Sequence, residues 1–227
     1  MISRLRMIAA IATAMVLLAS PALATHSWSV YHFPSDNLSP TVTGETRLAD
    51  VSDVVDDWAG LETNILPSYA ASGSGDIKVV AKRGNPNWIG LAQIKIDSAG
   101  HILEGKVTLN SAYANYNNGN GTANIWKHVL CQEVGHILGL QHSGGDTCMN
   151  DAFETLGMYT GPDIHDAKQL NLIYDGHVDV VGGTGDPDDG AGGPDCNKNA
   201  NAKKCRTGAG QWITLHVLSM PPGAIGR

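Results

Sequence analysis

The chain has 227 residues, 42% of them hydrophobic, enough for one domain with a substantial core. Its 15 basic and 22 acidic side chains give a formal charge of −7, and without Arg4 and Arg6 of the leader described next the balance is 13 against 22, or −9. Such an acidic surface argues against nucleic acid and against anionic membranes as partners.

Arg4 and Arg6 precede an apolar run from Met7 to Ala19, followed by Pro21 and the small-residue pattern Ala22-Leu23-Ala24. This order reads as a secretory signal peptide cleaved after Ala24, since the run is too short and wrongly flanked for a membrane span. The expected product is therefore exported, with a globular domain over 25–180 and a tail over 181–227.

Within that domain, Ser27 to Phe33 reads as a first strand. Leu48, Val51, Val54, Val55, Trp58 and Leu61 recur at helical spacing and stop near Gly60, which predicts a core-facing helix. Ile77 to Lys82 and Leu91 to Asp97 are β-rich, and Ser98-Ala99-Gly100 turns the chain into a further extended run from His101 to Asn110. Tyr113 to Thr122 is rich in Asn and Gly and reads as loop. Asp163 and Asp166 can cap a last helix whose buried stripe is expected to be Ile164, Ala167, Leu170 and Ile173. After Gly182 the composition turns to Gly, Asp, Pro and Asn, and Trp212 to Leu218 closes the chain as a possible terminal strand. Asp186, Asp188 and Asp189 lack the spacing of a calcium loop, so calcium is possible but unsupported by motif.

The chemistry concentrates in Cys131 to Ser143, CQEVGHILGLQHS. Residues four apart on a helix share one face about 6 Å apart along the axis, so Gln132 and His136 can face one ion with Glu133 beside them. A third ligand needs a chain reversal, which Gly139 permits, bringing back His142. His128 lies two turns before His136, about 12 Å along the axis, too far to share that ion, and is read as cleft-lining or surface.

Glu133, His136, Gly139 and His142 match all but the first position of HExxHxxGxxH, where Gln132 stands. With Thr147-Cys148-Met149-Asn150 in the place of a Met-turn, Lys106 to Asn110 in that of an edge strand, and DIHDAKQLNLIY in that of a closing helix, the chain resembles the metzincin clan of zinc endopeptidases, matrixin-like, over roughly residues 25 to 175. The resemblance implies an α/β catalytic domain, a twisted mixed sheet with an antiparallel edge strand packed on the active-site helix. It also implies one catalytic zinc held by Gln132, His136 and His142, Glu133 as general base, and Met149 supporting the ligands from below. The partner it implies is an extended peptide or protein substrate, which Gly105 to Asn110 would help to bind. A monomer is expected.

Gln132 divides the expectation, because a neutral amide is a poorer zinc ligand than imidazole. Three outcomes stay open: the amide ligates and peptide hydrolysis survives, water fills the place, or the site is metal-free and the catalytically inactive fold binds a peptide or extracellular polymer in the old cleft. Four cysteines in an exported chain suggest two disulfides, with three possible connectivities. A bridge from Cys131 to Cys148 would tie the helix to the Met-turn and stabilise by about 3 kcal/mol on the loop-entropy model. Cys196 and Cys205 would then close a loop in the tail.

Overall fold

The computed structural model describes residues 27–28, 31–175, 210 and 212–220. The leader, Cys196, Cys205 and the aspartates near 186 lie outside these residues. Six strands form one mixed sheet: β1 (Thr41–Thr43), β2 (Ser68–Ala70), β3 (Ile77–Lys82), β4 (Trp88–Ile96), β5 (Ile102–Asn110) and β6 (Trp212–Ser219), in the order β2-β1-β3-β5-β4-β6. The pairings among β1, β2, β3 and β5 are parallel, while β4 runs antiparallel to both β5 and β6. Among the described residues three α-helices accompany the sheet: α1 (Val51–Ala59), α2 (Thr122–Ile137) and α3 (Ile164–Tyr174). Among the described residues, no helix is long and apolar enough to cross a membrane.

Two of the helices begin where the sequence offers a cap. The Asp50 carboxylate accepts from the backbone N–H of Ser52 and Asp53, and Asp163 makes a reciprocal capping box with Asp166. Helix α1 buries Val51, Val54, Val55 and Trp58. The core continues through Ile77, Ile94, Val107 and Leu109 of the sheet and Val129, Leu130 and Ile137 of α2.

Two glycines let α2 approach the sheet closely, and the site depends on that approach. A Cβ at Gly105 of β5 would lie 2.6 Å from Ile137 Cγ2, and one at Gly90 of β4 would lie 2.4 Å from Glu133 Oε1. Any larger residue at either place would push the helix off the strands that face it.

Several expectations need correction. The stretch Gly105–Asn110 is not an edge, because β5 lies between β3 and β4. Val107, Thr108, Leu109 and Asn110 are all buried, as an interior strand requires. The antiparallel edge is instead β6, the last of the described strands. Of the first strand expected over 27–33, residues 29 and 30 lie outside the described residues, and Ser27 and His32 form isolated bridges to Leu140 and His101. Ile164 is exposed, and Tyr174 joins Ala167 and Leu170 on the buried side of α3. The end of the tail is not separate from the domain, since β6 belongs to the same sheet.

Candidate metal centre

Helix α2 carries the first part of the site. Its residues from Val129 to Ile137 are all buried, including the polar Gln132, Glu133 and His136. The helix ends at Leu138, and Gly139 takes φ 111°, so the chain turns back as its sequence position suggested. The N–H of Trp28 donates to the Gly139 carbonyl at 2.9 Å, fixing the bend, and His142 returns toward the helix.

The turn after His142 packs beneath. The N–H of Ser143 donates to the Met149 carbonyl at 3.0 Å, and the Met149 N–H donates to the Thr147 hydroxyl at 3.1 Å. Thr147 in turn donates to the Asp166 carboxylate, which burial pushes above its ordinary value. Met149 is fully buried, and its sulfur would lie 2.4 Å from a Cβ added at Gly135, so it rests against the helix at the residue preceding His136. Cys131 and Cys148 form a disulfide with Cα atoms 6.0 Å apart, joining helix and turn.

Three imidazoles converge at this point. His136 Nε2 and His142 Nε2 are 3.1 Å apart, and His142 Nε2 and His216 Nε2 are also 3.1 Å apart. Each ring holds an acceptor at its other nitrogen. The Nδ1 of His136 faces the Leu140 carbonyl at 2.8 Å, that of His142 faces Asp151 Oδ2 at 3.1 Å, and that of His216 faces the two Glu133 oxygens at 3.1 and 3.2 Å. A carbonyl or carboxylate accepts only, so the proton of each neutral ring belongs on Nδ1 and the three Nε2 lone pairs point at one another.

Lone pairs so arranged repel unless a cation lies among them. Tetrahedral zinc with bonds of about 2.0–2.1 Å would separate its nitrogen ligands by about 3.3–3.4 Å, close to the spacing found. The outward hydrogen bonds are those that orient metal-bound histidines. Burial pushes His136 well below the ordinary imidazole value, aided by the neighbouring His216 and His142 rings, which oppose a proton on it. Burial and then His216 bring His142 down to about 4, against the opposing pull of Asp151. Both rings are therefore unprotonated at neutral pH, as ligands must be.

Gln132 stands apart from this set of contacts. Its amide nitrogen donates to the Asn150 carbonyl at 3.3 Å, while its Oε1 is buried with no partner among the described residues. The third imidazole comes from His216, which local sequence patterns do not single out. Its only signal is a histidine inside a terminal strand, in a chain whose metal motif lacks one histidine. His128 is buried and helps line a small pocket with Asn150, Phe153, Leu156, Leu218 and Met220, a cleft-lining place.

A second group, Asp163, His165 and Asp166, also brings ligand atoms together. Its carboxylates are already used in capping α3 and holding Thr147.

No protein-family model matches the chain, and no curated protein does. Among solved structures, a structure of myroilysin aligns with a TM-score of 0.38 at 13% identity, over 65% of this chain and 97% of that one. A crystal structure of myroilysin gives 0.29 at 16% identity, over 49% of this chain and 50% of that one.

Proposed function

We propose that the protein is an exported zinc-dependent endopeptidase acting on extended peptides, with His136 and His142 as permanent metal ligands and His216 as the third in the arrangement described. The observation that carries this reading is the meeting of three Nε2 atoms whose rings are each fixed from behind by an acceptor. That donor set suits zinc better than magnesium or calcium, which take oxygen. When bound, zinc would supply Lewis acidity at the scissile carbonyl and lower the pKa of the attacking water.

The chain's own residues account for the remaining work. Glu133 is the carboxylate beside the metal ligands, placed to take a proton from water and return it to the leaving amine once His216 no longer faces it. Leu140 and Asp151 hold the rings of His136 and His142 in the ligating tautomer. Met149 supports His136 through its packing on Gly135. The test is cleavage of denatured casein by the purified mature protein. Chelator-sensitive cleavage that disappears in Glu133→Ala is expected. No cleavage under any zinc loading, either by the parent or by a chain in which Leu218→Asp and Met220→Asp loosen the strand that carries His216, would overturn the reading.

A further inference from the structure

Strand β6 has an unusual place for a structural strand. It lies along the outer side of β4, antiparallel, with Leu91 opposite Val217 and Ala92 opposite His216. Without it, β4 would present an unpaired row of backbone donors and acceptors next to the metal centre, the kind of edge to which an extended peptide adds. From this strand His216 reaches the other two histidines and occupies both oxygens of Glu133.

Beyond His216, Leu218 and Met220 meet a pocket walled by His128, Phe153 and Leu156. Met220 is buried there, while the residues from Thr214 to Leu218 are only half-buried. The strand is thus held by backbone pairing on one side, by a ring at the metal centre, and by aliphatic side chains in a pocket. Those are the three contacts by which a cleft holds a peptide. Glu133 is fully buried in this arrangement, so no other peptide can reach it while β6 stays.

We propose that the edge of β4 and the pocket beside His128 form a channel for an extended peptide, running antiparallel to β4 with large aliphatic side chains in the pocket, and that β6 occupies this channel as an intramolecular stand-in that must leave before a substrate enters. The proposal rests on the peptidase reading and names its substrate class, peptides with leucine or methionine two and four residues beyond the position at the metal. When β6 leaves, His136 and His142 stay on α2 and its following loop. Gln132, one turn before His136 and with no partner for Oε1 among the described residues, is then a further donor on the same helix.

A tethered occupant competes at an effective concentration of about a millimolar, so an added peptide of about 10 µM affinity should bind the parent about a hundredfold more weakly than a chain whose own strand is evicted. The experiment uses the full chain with Leu218→Asp and Met220→Asp, which put charge into the apolar pocket. Its probe is a fluorescent peptide of the sequence from Trp212 to Met220, followed by anisotropy.

The expected result is binding to the variant about a hundredfold tighter than to the parent, and none by a peptide carrying the same two aspartates. A folded variant that binds the probe no better than the parent overturns the proposal. If the double variant does not fold, His216→Ala, which removes the ring that ties the strand to the other two histidines, takes its place in the same assay: tighter binding than the parent supports the channel, and unchanged binding overturns it. Binding without any cleavage of casein by the variant would leave the channel standing and remove the peptidase.

Discussion

Replacing Gly135 by alanine sets two physical effects against each other at the floor of the metal centre. In an exposed helix the change would stabilise by about 1 kcal/mol, because glycine is the poorer helix former. Here the new Cβ would lie 2.4 Å from Met149 Sδ and 2.6 Å from Trp58 Cζ2. Ordinary carbon contacts are about 3.5–4.0 Å, so the overlap is about 1 Å on two sides. Trp58 has little room to yield, since it is fully buried and its indole N–H donates to the Cys131 carbonyl at 3.2 Å. Overpacking of this kind costs about 1–3 kcal/mol, and with two neighbours in the way the upper half of that range should apply. The net loss is then about 1–2 kcal/mol, or a fall in Tm of about 2–8 °C for a chain of this size. Because the displaced sulfur packs on the residue preceding His136, a shift of the helix there should lower zinc affinity as well, by about tenfold or more. Thermal melting and a zinc competition titration measure the two effects. A variant that melts at or above the parent's temperature, with unchanged zinc affinity, would refute the packing of Met149 and Trp58 on Gly135.

Three other outcomes follow from the same structure. Asp151→Asn keeps the shape but weakens the acceptor behind His142, and should lower zinc affinity by about tenfold in the same titration; an unchanged affinity would deny Asp151 its orienting role. Cys131→Ala with Cys148→Ala should cost about 3 kcal/mol on the loop-entropy model, read as a lower urea midpoint, and a midpoint equal to the parent's would count against the bridge. Burial lowers His128 from 6.5 to about 4 in the folded state. Below pH 6.5 the unfolded chain takes up a proton that the folded one refuses, so this group's contribution is whole above pH 6.5 and drains away as pH falls toward 4. It amounts to at most about 3 kcal/mol. Urea midpoints at pH 7 and pH 5 should therefore separate less in His128→Gln than in the parent, and equal separations would contradict the assignment.

How far the site is legible in the sequence depends on how local each part is. Helix α2, the bend at Gly139 and the return of His142 lie within one short stretch, where spacing alone implies geometry. The capping box at Asp163 and the limits of β3 are legible for the same reason. The bridge between Cys131 and Cys148 spans 17 residues and joins two parts of one motif. His216 is different. It lies 74 residues beyond His142 and reaches it only because β6 pairs with β4, a long-range choice that no local pattern encodes. The edge is hard to place for a related reason. An alternating strand is legible as such, but whether its neighbour is another strand or solvent depends on the whole sheet order. Ile164 shows the reverse error, an apolar residue in the helical stripe that falls outside the contact with the core.

The central claim is that three imidazoles share one divalent cation. Its most direct test is the metal content and X-ray absorption spectrum of the full chain purified in the presence of zinc. One zinc per chain with three nitrogen ligands at about 2.0–2.1 Å is expected, falling to substoichiometric metal in His142→Ala. A parent that takes up no zinc, or a His142→Ala variant that binds it as well as the parent does, would contradict the account.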